Sequence, residues 1–331
     1  MPIHYTFLLW PHANVRYRAE AQKLAQAELQ IILNSCAPEA AVTPVEHLGM
    51  PALSIEAPAP LPEPALERLR RHSLLFGLYL NDGDKLVPVA GRAAARLGED
   101  LPGILKYKGK TNELFTQMLI NVGLYSAPLR TPDDTVRFLD PMCGRGTSLF
   151  IAANLGYEAT GSDIDRAALK EGEQFLKRYF EYHRMKHAFQ RSSLTVNGKS
   201  APCARFTFED QSLSFVELDA ANVRKCFGAG RFHVIACDLP YGVQHSTKAS
   251  NAEGLLARAL PAWREALVPG GAVAVSFNAQ TAKRDNILQA MQRAGLSPLS
   301  GGPYDEFSHW VEQAVTRDVA VGINDAKIRR S

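Results

Sequence analysis

From Phe115 onward the chain alternates short β-branched runs with segments of helical spacing, and this rhythm restricts the fold more than any other feature. Val136–Leu139, Glu158–Gly161, Phe215–Leu218, Val234–Cys237 and Val273–Phe277 read as strands, mostly followed by helical patterns. Such alternation predicts an α/β, doubly wound, mostly parallel sheet with right-handed crossovers and helices on both faces. Trp310–Gly322 breaks the rhythm: two β-like runs separated by a short turn, expected as an antiparallel hairpin at the sheet edge. Residues 190–209 read as an insertion. Their Asn197-Gly198, between Ser193–Val196 and Arg205–Phe208, signals a further hairpin.

The first hundred residues follow another pattern. His4–Trp10 is strand-like, Val15–Leu33 has apolar residues at helical spacing, and a second strand region lies near 51–56. The proline-rich Ala57–Pro64 leads into a helix, Ala65–Arg71, with Pro64 near the first helical position, where a missing N–H costs nothing. Strands around Ser73–Leu80 and Lys85–Ala90 complete a small α+β unit. With 331 residues and 46% hydrophobic content, two domains are expected: 1–100, and 106–325 beyond a boundary in 91–106.

Composition excludes several classes. No apolar run approaches the roughly 18 residues of a membrane span, and Met1–Trp10 lacks the features of a signal peptide, so a cytoplasmic location is expected. Five cysteines without a CxxC pair support neither a disulfide framework nor a metal site. A net charge of +3 does not by itself establish a nucleic-acid partner.

Ligand chemistry begins at Asp140-Pro141-Met142-Cys143-Gly144-Arg145-Gly146-Thr147-Ser148, which follows the first strand of the alternating region and opens an apolar helix. Glycines there let backbone approach a ligand, and the N–H groups of a helix start favour anionic groups. About twenty residues on, Gly161-Ser162-Asp163-Ile164-Asp165 ends the next strand, where nucleotide-type cofactors find an acid for their ribose. Asp163 is assigned that role and Asp165 an N-cap role. Asp219, after the following strand, could accept from an adenine amino group or cap the next helix. NAD and S-adenosylmethionine (SAM) both suit a ribose acid behind a glycine turn, and the missing third glycine of GxGxxG disfavours the dinucleotide.

The fourth strand separates these alternatives, because it ends in Asp238-Leu239-Pro240-Tyr241. In a doubly wound sheet, ligands sit outside the carboxyl ends of strands at the switch in strand order. A nucleobase amine has its lone pair delocalised into the ring, and an acceptor on each N–H would localise it. Asp238 supplies one acceptor and the Leu239 carbonyl, fixed by Pro240, the other. Tyr241 offers a face on which an extruded base stacks.

Together Asp140–Thr147 and Asp238–Gly242 resemble the amino-group methyltransferases of class I fold, specifically the family that includes tRNA guanosine-N2-methyltransferases. Lys108–Phe115 is similar to the stretch leading into their catalytic domain, and the resemblance covers roughly 106–325. It implies a seven-stranded Rossmann-like sheet and SAM as cofactor. By this resemblance the cofactor set is Asp140, Met142, Cys143, Gly144, Gly146, Thr147, Asp163, Ile164, Asp219 and Ala220. Asp238, Leu239, Pro240 and Tyr241 form the catalytic set, with no metal. The implied activity is methylation of an exocyclic base amine of RNA, guanosine N2 in tRNA first, with nucleic acid as partner. The same motif occurs in adenine-N6 methyltransferases of DNA and RNA, and a non-catalytic nucleic-acid-binding module is the third reading. Two departures stand out. Leu239 replaces a common proline where only the backbone is asked to act, and a hundred N-terminal residues hold only part of a THUMP module.

Other features are read as structural. Lys177, Arg178 and His183–His187 interleave with Phe175, Tyr179, Phe180, Tyr182 and Phe189, expected on one long helix as a solvated basic face opposite an aromatic core face. Lys106, Lys108 and Lys110 are better phosphate candidates, and Lys327, Arg329 and Arg330 read as a tail. Gly302-Pro303-Tyr304 reads as a turn, and His245 lacks partners at ligand spacing.

Overall fold

The computed structural model describes residues 2–11, 15–129, 136–240 and 252–325, with 15–19 described in backbone only. Tyr241, Gly242, His245, Lys327, Arg329 and Arg330 therefore lie outside the described residues.

The N-terminal region is one antiparallel sheet with helices packed on it. In chain order it comprises β1 (Ile3–Leu9), α1 (Val15–Asn34), β2 (Ala41–His47), β3 (Met50–Ala57), α2 (Glu63–Leu69), β4 (Leu75–Asp82) and β5 (Lys85–Gly91). The strand order is β2-β3-β1-β4-β5. The alternation of Tyr5, Phe7 and Leu9, all buried, turns one face of β1 into the core, against Leu24, Ala25 and Ile32 of α1. The sequence reading missed β2. Its Pro44 and polar residues suit an edge strand, the one place in a sheet that tolerates a missing N–H.

The second region runs α3 (Leu101–Ile104), α4 (Glu113–Ser126), β6 (Arg137–Asp140), α5 (Thr147–Asn154), β7 (Glu158–Asp163), α6 (Arg166–Tyr182), β8 (Ala188–Val196), β9 (Lys199–Phe208) and β10 (Gln211–Glu217). It continues α7 (Val223–Phe227), β11 (Phe232–Asp238), α8 (Ala252–Ala266), β12 (Leu267–Asn278), α9 (Arg284–Arg293), β13 (Ser297–Leu299), β14 (His309–Glu312) and β15 (Val315–Ile323). The sheet order is β13-β15-β12-β11-β6-β7-β10-β9-β8, with β14 beside β15. Pairing is parallel from β10 through β7, β6 and β11 to β12, and β15 is antiparallel to its neighbours. Without the β8–β9 insertion and β14, this is the seven-stranded class I methyltransferase sheet. The order reverses between β6 and β11, so Asp140 and Asp238 end the two strands that flank the switch point.

Two expectations need correction. The C-terminal hairpin forms, but β15 lies inside the sheet, between β12 and β13. Its nearly unbroken buried run is the pattern of a strand covered on both faces, and the edge falls to three-residue β13. The long basic–aromatic helix also ends sooner, at Tyr182. Arg184 adopts a left-handed φ of 53°, and Met185 N–H donates to Phe180 O at 2.9 Å, a Schellman-type stop made without glycine. Phe189 then falls on β8. The basic face is solvated, with Lys177, Arg178, Arg184 and Lys186 exposed, and Tyr179 and Phe180 are buried opposite it; Tyr182, expected on the core face, is instead 84% exposed. The 190–209 hairpin turns on Asn197 and Gly198, both at positive φ (53° and 74°), as a tight I′ turn requires.

Candidate active site

A cleft of about 810 Å³ opens at the carboxyl ends of β6 and β11. Its floor is the glycine loop, with Asp140, Met142, Cys143, Gly144 and Thr147 on the wall; its far side is Asp238, Leu239 and Pro240. Helix α4 closes it from above. Gly123 lets that helix press on the sheet, since a Cβ there would come within 2.8 Å of Val234 Cγ2 on β11. The Asn112 side chain caps α4, accepting from Leu114 N at 2.9 Å and Phe115 N at 3.1 Å, which fixes the preceding Thr111 at the cleft.

Each loop residue has a physical task. Asp140 is buried, its carboxylate accepting from Met142 N at 2.9 Å and Ser148 Oγ at 2.5 Å, so one acid holds both arms of the loop. Burial pushes its carboxyl up to about 7, and the neighbouring charges of Asp163 and Asp238 add to the rise, against the lowering effect of its two hydrogen bonds. Gly146 sits at φ 88° as the residue before α5, and a Cβ there would lie 2.7 Å from Phe215. Gly144, at φ 51°, has nothing within 4 Å of where its Cβ would be, so the space above it is open. Cys143 is buried, with its Sγ 2.6 Å from the point where a Cβ on Gly161 would stand. Thr147 Oγ1 is 3.1 Å from Tyr107 Oη, and the Arg145 guanidinium lies 4.6 Å from the Tyr107 ring, so the segment before α4 straps onto the loop.

The acids assigned to the cofactor are placed differently from one another. Asp163 Oδ2 accepts from Gly144 N at 2.8 Å and Oδ1 from Asp165 N at 2.8 Å, which ties the end of β7 to the glycine loop. An ionised carboxylate has about four acceptor positions, so two remain beyond these bonds. Ile164 beside it is 75% exposed, an apolar surface next to that acid. Asp165 caps α6 through Ala167 N and Ala168 N, as expected. Asp219 caps the turn after β10 through Ala221 N, with Arg258 3.5 Å from its other oxygen, and the Ala220 carbonyl accepts from Trp263 Nε1. Asp163, Ile164, Asp219 and Ala220 do not line the enclosed cleft. They stand beyond it, along the adjacent ends of β7 and β10.

On the other side, Leu239 is 2% exposed. Its side chain belongs to the core, its N–H donates to Ser276 O at 2.8 Å, and the residue borders the cleft. Asp238 Oδ2 accepts from Thr111 Oγ1 at 2.5 Å and lies 3.6 Å from an Arg317 nitrogen. Arg317, on β15, is itself buried, and its guanidinium packs 4.4 Å from the Phe115 ring. Sequence reasoning missed Thr111, Tyr107 and Arg317. The signal for Arg317 was a charged pair, Arg317-Asp318, inside an otherwise apolar strand. Of the lysines, Lys110 is spent on Glu113 Oε1 at 2.5 Å and Pro102 O at 2.6 Å, while Lys108 reaches the cleft. Among the described residues no cluster of metal-ligating side chains occurs, and no helix is long and apolar enough to cross a membrane.

The chain is similar to several solved structures. TrmN from Thermus thermophilus is 13% identical, with 97% of this chain and 99% of that one covered at a TM-score of 0.46. A TehB-like SAM-dependent methyltransferase from Corynebacterium glutamicum is 17% identical over 58% and 81% of the two chains, at a TM-score of 0.35. The magnesium protoporphyrin IX methyltransferase ChlM from Synechocystis PCC 6803, solved with SAM bound, is 16% identical over 66% and 86%, at a TM-score of 0.38. No curated protein matches the chain at comparable significance. The model of the UPF0020 family, described as "RMKL-like, methyltransferase domain", matches residues 128–296, a span holding both the glycine loop and Asp238–Pro240. The open backbone over Gly144 and the acceptor positions left on Asp163 fit SAM. The chain belongs to this RMKL-like methyltransferase family and is a SAM-dependent methyltransferase of class I fold.

Proposed function

We propose that this protein methylates an exocyclic amine of a nucleobase in RNA, guanosine N2 of tRNA in the first place, in the cytoplasm. The observation that carries the reading is the meeting of Asp238 and the Leu239 backbone with the glycine loop in one cleft at the switch point. The cofactor set is Asp140, Met142, Cys143, Gly144, Gly146 and Thr147 for its amino-acid end, with Asp163, Ile164, Asp219 and Ala220 along the ribose and adenine. Residues 1–100 form an N-terminal unit, packed against the rest of the chain, that presents RNA to a catalytic domain spanning 106–325.

Bound SAM supplies an electrophilic methyl group on a sulfonium. Asp238 accepts one N–H of the amine and the Leu239 carbonyl the other, which localises the nitrogen lone pair and aims it along the line of attack. SAM, once bound, would give its methyl group to the amine nitrogen with the thioether as leaving group, and the Asp238 carboxylate takes the amine proton and passes it to water. Thr111 and Arg317 hold Asp238 in place, both on Oδ2. Pro240 fixes the turn, and Tyr241, outside the described residues, would stack on the base.

The test is incubation with labelled SAM and separate pools of tRNA, rRNA and DNA, followed by digestion to nucleosides. N2-methylguanosine from tRNA is expected. Label in N6-methyladenosine would move the reading to adenine, and absence of label from every pool would leave a binding module.

A further inference from the structure

A second cleft, of about 640 Å³, lies on the opposite side of the 106–117 segment from the first. Lys106, Leu114 and Gln117 face it, whereas Tyr107, Phe115 and Thr116 face the methyl-transfer cleft, so the two are separated by the thickness of one helix, about 10–12 Å. Its walls come from both regions of the chain. Trp10 follows β1, Arg70 and Arg71 follow α2, Arg92 and Arg96 follow β5, and Lys106 precedes α4. Five cations thus line the cleft against two carboxylates, Glu99 and Glu113, and Glu113 is already bound to Lys110.

Three of the five cations are held in ion pairs, and with their partners and the Lys110–Glu113 pair included six cations stand against four carboxylates, Glu67, Glu99, Glu113 and Asp210. Arg92 donates to Gln117 Oε1 at 2.9 Å and stands 3.8 Å from Glu99 and 5.9 Å from the Trp10 ring centroid. Arg70 is 3.3 Å from Glu67, and Arg96 is 2.9 Å from Asp210. Backbone bonds pin the loop that carries them: Ala93 N to Arg70 O at 2.8 Å, and Arg96 N to Asn154 O at 3.2 Å. A framework ordered in advance loses little entropy on binding. Beside it Trp10 and Phe76 are both exposed, at 43% and 49%, with ring centroids 5.6 Å apart. Fixed cations next to an exposed aromatic pair are what a nucleic-acid strand uses, phosphates on the first and a base on the second.

We infer that the second cleft binds the phosphodiester backbone of the RNA a few nucleotides from the target base, with Trp10 as a stacking face. The inference rests on the RNA reading above and extends it to a place on the chain. A strand crossing the 106–110 segment would run from one cleft to the other, past Lys106 and Lys108.

The full chain tests this with two probes: a short fluorescein-labelled oligouridylate and unfractionated tRNA. Anisotropy titrations over a range of KCl compare wild type with the double change Arg92→Ala, Lys106→Ala, and with Trp10→Ala, while calorimetry follows SAM. Loss of two phosphate contacts should lower the salt slope for the oligonucleotide by about 1.4. Trp10→Ala should weaken binding by about tenfold or more. SAM affinity should not move in either. Unchanged affinity and slope, in variants of a wild type that does bind and methylate RNA, overturn the second site and leave the RNA reading standing. A wild type that binds neither probe overturns both. If the double variant loses SAM binding as well, the exposed single change Lys106→Glu decides on the same readouts.

Discussion

At the scale of single residues, the site is a set of acids given different work by their surroundings. Asp140 is buried and organises the loop, Asp163 is half-engaged by backbone, and Asp238 is held from two sides by groups far apart in sequence. Arg317 faces Asp238 from an apolar strand, and its plane is fixed by Phe115. We expect Arg317→Lys, which keeps the charge but loses the flat stacked group, to lower kcat by about 10- to 100-fold through misplacement of Asp238. The SAM dissociation constant should be unchanged. Asp238→Ala should keep SAM affinity and abolish turnover; full turnover in either variant would remove that residue from the assigned role. Asp238 and Leu239 were legible because they are neighbours in sequence at a strand end. Arg317 was not, because β15 reaches Asp238 only by pairing with β12, the strand beside β11, and local pattern does not encode that pairing.

At the scale of elements, the glycine loop depends on a helix that contributes no group to the cleft. Helix α6 packs so close that a Cβ on its Gly172 would stand 2.3 Å from Arg145 O in the loop and 3.1 Å from Phe215. A glycine in mid-helix costs about 1 kcal/mol of helix propensity, which close approach explains here. Gly172→Ala should push α6 off the loop, with a stability cost of about 1–3 kcal/mol and at least a tenfold loss of SAM affinity by calorimetry. Gly198→Ala, at φ 74° with nothing near its Cβ, is the control: strain at the hairpin tip without effect on SAM. Wild-type SAM affinity in Gly172→Ala would break this link. The strand–helix rhythm and the Asn197-Gly198 turn were readable because each is local. The end of α6 was not, since Arg184 takes the left-handed position usually given to glycine, and β2 was hidden by Pro44.

At the scale of the whole molecule, the two regions share buried polar chemistry that makes stability depend on pH. Glu28 of α1, fully buried, accepts from Ser73 N at 2.9 Å and Asn121 Nδ2 at 2.7 Å, joining the N-terminal sheet to α4. His72 stands beside it, and burial lowers its pKa even against that carboxylate. Burial likewise takes His233 and His309 down to about 4, while it raises Asp140 to about 7. Between about pH 4 and 6.5 the unfolded chain carries protons on the His233 and His309 imidazoles that the folded chain sheds, and His72 is shifted in the same direction. The folded chain keeps one, on Asp140, that the unfolded chain lacks. Two histidines against one carboxyl, with His72 on the side of the histidines, leave the unfolded state binding at least about one more proton, so stability rises with pH across this window and is lost as pH falls from 6.5 toward 4. Urea midpoints should therefore be higher at pH 6.5 than at pH 5. His233 Nδ1 accepts from Arg137 N at 3.0 Å, a bond that the carbonyl of an asparagine can also accept. His233→Asn should therefore fold and flatten the pH dependence by about one proton, and a midpoint that is flat or falling in the wild type would show that Asp140, not the histidines, dominates the linkage.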